Sequence, residues 1–271
     1  MVEPASDTNS ELSGDTPEYW EQHWDQFSEA TRLNPAQGFR RKLIFRLLGD
    51  SAEKDGATLL DVGCGSGDQL EALGKRFPKA QLAGIDRSQT GLSVTAKNFP
   101  DATLLPSDLE DNTSIPDQLQ GWASHAVCSE VLEHLNDPVA ALTNLKAYLK
   151  PGARLVITVP GGPKSAFDRS IGHQRHYTAS QLRSDLLDAG YTVEIAAGAG
   201  FPTFNLYRLI VLWRGESLND DISGRPSLLA RAAMTVFRVL LQFWFFNTPW
   251  GWQIVALARK PARPSAKIQG E

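Results

Sequence analysis

The sequence predicts an α/β fold around an open, mostly parallel sheet, and two observations predict it. Between residues 55 and 200, short β-prone apolar runs alternate with segments of helical pattern, the rhythm of a parallel sheet with crossover helices. The first of these runs, Leu59-Leu60-Asp61-Val62, ends in the glycine loop Gly63-Cys64-Gly65-Ser66-Gly67-Asp68, and a helix-like segment from Gln69 to Phe77 follows. That order is strand, tight turn, helix. With 271 residues, of which 42% are hydrophobic, the chain can bury a sizeable core as one enlarged domain or a domain with a cap.

The elements read in order as follows. Residues 1–16 are acidic and rich in Ser, Thr and Pro, the composition of a disordered tail. Residues 17–54 read as a helical lid: Tyr19, Trp20, Trp24 and Phe27, then Leu43, Ile44, Leu47 and Leu48, recur at helical spacing. The core, 55–200, carries helices at about 68–77, 89–98, 137–149 and 180–189. Gly190 ends the last of these as a C′ glycine, and a strand follows from Tyr191 to Ala197. Residues 201–250 are a helical, aromatic-rich insertion. Phe204 to Trp213 forms one segment, and Leu228 to Phe246 forms another that is apolar nearly all round. The polar positions of the second, Arg231, Thr235, Arg238 and Gln242, share one narrow stripe. Residues 251–260 hold the last core strand, and 261–271 read as a flexible tail.

Composition removes several function classes. A net charge of -4 leaves no basic footprint for nucleic acid. Two cysteines, Cys64 and Cys128, both in apolar motifs, suggest neither a disulfide framework nor a zinc site. No basic region precedes an apolar core near Met1, so no signal peptide is expected, and the expected compartment is the cytoplasm.

The glycine spacing separates ligand classes. The dinucleotide fingerprint needs a glycine where this chain has Asp68, and the Gly-Lys-Ser/Thr of a P-loop is absent. Without Cβ atoms, Gly63, Gly65 and Gly67 still let a ligand lie against the backbone. Gln81 to Asp86 reads as a second strand ending in an acid about 20 residues beyond the glycines, where a carboxylate can accept two ribose hydroxyls. Leu104 to Leu109 reads as a third strand end with another acid, Asp108. Ala126-Val127-Cys128-Ser129-Glu130-Val131-Leu132-Glu133-His134-Leu135 and Leu149 to Pro160 complete the series.

These five motifs, in this order, resemble the class I S-adenosylmethionine (SAM)-dependent methyltransferases, and Glu130 to His134 is close to the E-V-L-E-H run of the ubiquinone/menaquinone-type small-molecule branch. The resemblance covers about residues 55–197 and the final strand. It implies a seven-stranded, mostly parallel sheet with helices on both faces, and SAM as cofactor. It implies that Asp61, Gly63, Cys64, Gly65 and Gly67 cradle SAM and that Asp86 and Arg87 stand at the ribose. Asp108 would meet the adenine amino group, Leu109 would pack on the ring, and Glu130 would sit near the sulfonium. Arg40, in Asn34 to Arg40, resembles an arginine that contacts the SAM carboxylate. Arg41 is adjacent, so the register between them is open.

Methyl transfer from a sulfonium mainly needs alignment, and a general base only where the nucleophile must lose a proton. Histidine suits that task near neutral pH. The candidates are His173 and His176, in Gly172-His173-Gln174-Arg175-His176-Tyr177-Thr178, with His134 in reserve. Each also has a structural reading as a residue that pins a loop or helix. His23 and His125 read as structural. The loop histidines could ligate a metal, but the sequence places no acidic cluster beside them, and none is expected.

The expected activity is transfer of a methyl group from SAM to a small, partly apolar molecule, on oxygen. The alternatives are an aminopropyl transferase-like enzyme, whose acidic motifs are missing, and a non-catalytic SAM-fold binding or scaffold protein. The insertion packs as a cap, forms a homodimer interface or touches a membrane surface; arginines within Leu228–Phe246 argue against a span.

Overall fold

The structure, a computed structural model, describes residues 34–111, 115–215 and 228–262. The expected N-terminal tail, the Tyr19–Phe27 part of the lid and nearly all of the C-terminal tail lie outside these residues.

The strands are β1 Thr58–Val62, β2 Gln81–Asp86, β3 Thr103–Pro106, β4 Ala123–Ser129, β5 Leu149–Pro160, β6 Thr192–Pro202, β7 Trp244–Phe246 and β8 Gln253–Arg259. The helices are α1 Pro35–Leu48, α2 Asp68–Arg76, α3 Gln89–Asn98, α4 Pro138–Leu145, α5 Ala166–Ser170, α6 Ala179–Asp188, α7 Thr203–Arg214 and α8 Leu228–Leu240. Helix starts follow local chemistry. Asn34, Ser88, Asp137 and Thr178 each accept a backbone N–H of the helix they open.

The sheet order is β3-β2-β1-β4-β5-β8-β6-β7. Strands β1 to β5 pair in parallel, while β8 runs antiparallel between β5 and β6. Both faces are apolar, as a sheet covered on two sides demands. Ala126 and Cys128 of β4, Leu155 and Ile157 of β5 and Ala256 of β8 meet α4 and α6 on one face. Val127, Val156 and Val255, one residue out of phase, meet α1 and α7 on the other. α1 docks through Phe39, Leu43 and Leu47, an i, i+4, i+8 stripe. The Phe39 ring stacks on Phe204 of α7, centroids 4.9 Å apart. Such a pair adds about 0.5–1.5 kcal/mol beyond burial.

Two expectations change. The sheet has eight strands, not seven, and the insertion is not wholly helical. α8 stops at Leu240; the chain turns, and Trp244–Phe246 pairs with β6 at Ala199, Phe201 and Pro202. An apolar run such as Leu240–Phe246 suits a short strand as well as a helix, so periodicity does not separate the two. Similarly, the helix expected to reach residue 149 ends at Leu145 and finishes as a tight 3-10 turn, Lys146–Tyr148.

The carboxyl ends of β1, β2, β4 and β5 share one edge. Ligands bind open α/β sheets at such an edge.

Candidate active site

The glycine loop is held by its neighbours on that edge. The amides of Gly63 and Cys64 both donate to Ile85 O of β2, at 2.8 and 3.1 Å. Gly63 and Gly67 have φ of 70° and 84°. A Cβ on Gly63 would lie 2.5 Å from Val131, and one on Gly67 2.7 Å from Thr95, so these two positions need glycine for conformation and for space. Asp86 fastens the loop: its Oδ2 accepts from Gly65 N at 2.7 Å and its Oδ1 from Ser88 N at 2.8 Å. Buried Thr95 donates to Gly65 O at 2.8 Å. Cys64 is buried, and its thiol pKa is pushed up by burial and by Asp61.

Asp61, at the end of β1, is 1% exposed, and its Oδ2 has no hydrogen-bond partner among the described residues. Burial, then the charge of Asp86, raise its pKa to about 8. Arg41 acts in the opposite sense. Its guanidinium donates to Asp68 O at 3.1 Å, and its charge lowers the Asp61 pKa. Arg41 Nε and Gln69 Nε2 are likewise buried without partners among the described residues. This donor set fits SAM. An orphaned carboxylate oxygen suits an ammonium, Arg41 suits a carboxylate, and Asp86 suits hydroxyls.

The other expected cofactor residues are placed as follows. Asp108 lies 3.4 Å from Arg87 and accepts from Glu110 N at 3.0 Å. The Leu109 side chain is buried as part of the core on the α4 and α6 face of the sheet. Glu130 has φ of 57°, a left-handed turn at the end of β4. Its Oε2 pairs with Arg40 at 2.8 Å; its Oε1 accepts from Gln253 Nε2 at 2.9 Å and Thr158 Oγ1 at 3.0 Å. Arg40 Nε also donates to Gln253 Oε1 at 3.2 Å. So Arg40 is engaged by Glu130, and its neighbour Arg41 reaches the glycine loop. Gln253, on the last strand, links lid and sheet.

The histidines form a second centre, between β5 and α6. His176 Nδ1 lies 3.0 Å from Gly162 O, and a carbonyl only accepts, so Nδ1 carries the proton. His176 Nε2 therefore accepts from His173 Nδ1 at 3.2 Å. The lone pair of His173 is then on Nε2, which stands 3.9 Å from Glu133 Oε1. His134 Nδ1 donates to Gly172 O at 3.3 Å, and its Nε2 lies 4.0 Å from Glu133 Oε1. Glu133 is fully buried, and neither carboxyl oxygen has a hydrogen-bond partner among the described residues. Burial, then the charge of Glu130, push its pKa well above the usual carboxylate range. Burial, then His134, hold His173 down at about 2.

Asp168 sits at the rear of this centre, 3.8 Å from both His173 Nδ1 and His176 Nε2. Burial alone would raise its pKa, but Arg208 and Ser165 hold it down at about 2. Arg208 of α7 grips it with two hydrogen bonds, of 3.1 and 2.7 Å. Ser165 and Asp168 form the capping box that opens α5. The premise that no acid stands near the loop histidines is therefore overturned. Glu133, His134 and His173 bring ligand atoms within 4.8 Å of one another, as do Asp168, His173 and His176. The second set is less available to a cation, because Asp168 is already clamped by an arginine.

Asp168, Arg208, Gln253 and the role of Glu133 were missing from the sequence reading. Only Asp168 had a local signal, the Ser165-x-x-Asp168 spacing of a capping box. His125 behaves as expected of a structural residue, held between Ser51 and Ser124 at 2.9 Å each.

The family described as a methyltransferase domain matches residues 36–195. An uncharacterised 37.1 kDa protein of a Streptomyces fradiae transposon is 27% identical over 185 residues, 66% of this chain; the match spans about half, 53%, of that relative. A ubiquinone biosynthesis O-methyltransferase of Acinetobacter baumannii is 27% identical over 195 residues, 65% of this chain and 79% of its own length. Among solved structures, the Haemonchus contortus phosphoethanolamine N-methyltransferase 2, in complex with phosphomonomethylethanolamine and S-adenosylhomocysteine, is similar in fold. Its TM-score is 0.57 at 17% identity, covering 93% of this chain and 59% of that one.

Proposed function

The chain belongs to the methyltransferase-domain family and is a SAM-dependent enzyme, and we propose that its acceptor is a small, partly apolar molecule methylated on oxygen. The observation that carries this reading is the pairing of a SAM-type glycine edge with a buried histidine centre next to it. When bound, SAM supplies an electrophilic methyl carbon on a sulfonium. The protein's residues do the rest. Asp86 and Thr95 fix the glycine loop, Asp61 and Arg41 face the charged ends of the amino acid moiety, and the Arg40–Glu130–Gln253 bridge closes α1 over the edge.

In this reading His173 Nε2, a weak base in the ligand-free protein because burial and His134 hold it down, takes the proton of an acceptor hydroxyl only as the new carbon–oxygen bond forms. His176 fixes the tautomer, and Asp168 stabilises the imidazolium that results. A hydroxyl acceptor gives up its proton as the carbon–oxygen bond forms, which a nearby histidine can take; an ammonium acceptor would need the same service, so the choice of oxygen leans on the similar proteins. The O-methyltransferase among the similar proteins agrees with this choice, and the N-methyltransferase of similar fold is the natural control. The test is a substrate panel of paired phenols, carboxylic acids and amines with matched apolar bodies. Methylation of the amines alone would overturn the oxygen reading.

A second reading rests on the same cluster. Glu133, His134 and His173 could together hold a divalent cation that orients the acceptor oxygen. Chelator treatment separates the two: a metal-free enzyme that keeps full turnover leaves the histidine as the sole polar device.

A further inference from the structure

The insertion turns a large apolar surface outward. Of ten large apolar side chains exposed among the described residues, nine lie between 201 and 250. Trp213 is 85% exposed, Phe243 68% and Trp250 65%. α7 is apolar on two sides. Phe204, Tyr207 and Val211 turn inward, while Leu206, Leu209, Ile210 and Trp213 form an i, i+3, i+4, i+7 stripe facing out. A helix apolar all round is normally buried. α8 repeats the arrangement with Val236 and Val239 exposed. Contacts join the pieces into one surface: Tyr207 meets Phe237 (ring centroids 5.6 Å apart), Thr203 bonds Phe243 O at 2.6 Å, and Phe201 meets Trp250 at 5.5 Å.

Residues 201–215 and 228–250 contain no Asp or Glu, and of their four arginines Arg208 is turned inward against Asp168. The acids of the insertion, Glu216, Asp220 and Asp221, fall in a stretch outside the described residues. Arg214 and Arg238 are exposed beside the aromatic side chains. A symmetric pair of copies meeting through this face would set these arginines against their own mates, with no described acid opposite. An anionic apolar partner has no such conflict. No helix among the described residues is long and apolar enough to cross a membrane. Aromatic side chains beside arginines suit the headgroup layer.

We propose that the outer face of α7, α8 and the β7 edge docks on an anionic lipid bilayer, lying in its interface. This docking does not depend on which acceptor atom is methylated.

The test is co-sedimentation of the full chain with vesicles of phosphatidylcholine alone, and of one part phosphatidylglycerol to two parts phosphatidylcholine. The chain is expected to partition onto the mixed vesicles and to be released in part by salt. Arg238→Ala should weaken partition about five-fold, and Trp213→Ala or Phe243→Ala roughly ten-fold or more. SAM binding by each variant should match the parent, which separates a lost surface from a lost fold. Absence of partition by the parent chain would overturn the proposal. So would equal partition onto neutral vesicles that Arg238→Ala leaves unchanged, or a stable dimer that the same substitutions dissolve.

Discussion

The two halves of the site are held together in different ways. Around the glycine loop, the bonds are short-range in the sheet and mostly involve backbone: Asp86 takes two amide N–H groups and Ile85 O takes two more. Around the histidines most of them involve a side chain, reaching either another side chain or a carbonyl of a distant segment. Arg208 reaches back 40 positions to Asp168, and Gln174 reaches 40 positions to His134 O. A backbone-held half tolerates wide variation in side chains, which suits a cofactor shared by a family. A half held by side-chain pairs changes whenever one partner changes, which suits an acceptor site that differs between relatives.

The sharpest break in this comparison comes from His173→Ala. If the histidine is the proton acceptor, turnover on a hydroxyl acceptor should fall about 10²–10⁴-fold, with the dissociation constant for SAM nearly unchanged. Unaltered turnover would make the second centre only structural. The opposite test is Asp86→Ala, which removes two charge-assisted bonds from the loop. At about 1.5–3 kcal/mol each, SAM affinity should drop on the order of 100-fold by calorimetry. A change of less than two-fold would mean that the loop keeps its shape without its acid.

Arg208→Gln probes the link between the halves and the insertion. Removing one partner of a buried pair costs roughly 3–5 kcal/mol, so thermal unfolding should shift down by several degrees. Because Asp168 would then lose its clamp, turnover should fall too, while SAM affinity holds. Arg208→Lys should recover only part of either effect, since it cannot make the paired bonds.

The smallest effect sharpens the cofactor half. Asp61 in the ligand-free protein has its pKa raised to about 8, so it is protonated at neutral pH. An ammonium placed beside it favours the carboxylate, and binding should release a proton. SAM affinity should therefore rise with pH by up to about ten-fold per unit and level off above about 8. The sign for stability is the reverse. A raised carboxyl stabilises the ligand-free fold fully below its ordinary pKa, 3.8, and that contribution is lost as pH climbs through about 8. Calorimetry in buffers of different ionisation heat reads the proton directly; no proton release would remove Asp61 from the ammonium site.

The same contrast explains what could be read in advance. The glycine loop, Asp86 and Asp108 were legible because each is a local pattern: strand, turn, and an acid at a strand end. The parallel core was legible for the same reason, and its helices start close to where the caps predict. Arg40 and Arg41 were not separable, because one residue on a helix is a rotation of 100° and only the docking of Phe39 and Leu43 sets it. Asp168 and Arg208 could not be paired from spacing. The three-residue β7 hid within an apolar run whose extended form depends on β6 being alongside. Glu133 carries no local signal of its burial, because the Gly172–Gln174 loop comes to it from about 40 positions away, with Gln174 N donating to Glu133 O at 2.9 Å.

Gln253 also sets an order of events during synthesis. Glu130 and Gln253 are 123 positions apart, yet their bond completes the bridge that holds α1 across the edge. At the 5–20 residues per second of translation, Gln253 follows Glu130 out by roughly 6–25 seconds. Through that interval the nascent chain can carry a formed glycine loop with α1 held to Glu130 by Arg40 alone. A ribosome paused before β8 would thus display a cofactor edge whose lid is only half fastened, and the arrival of Gln253 adds the second tie.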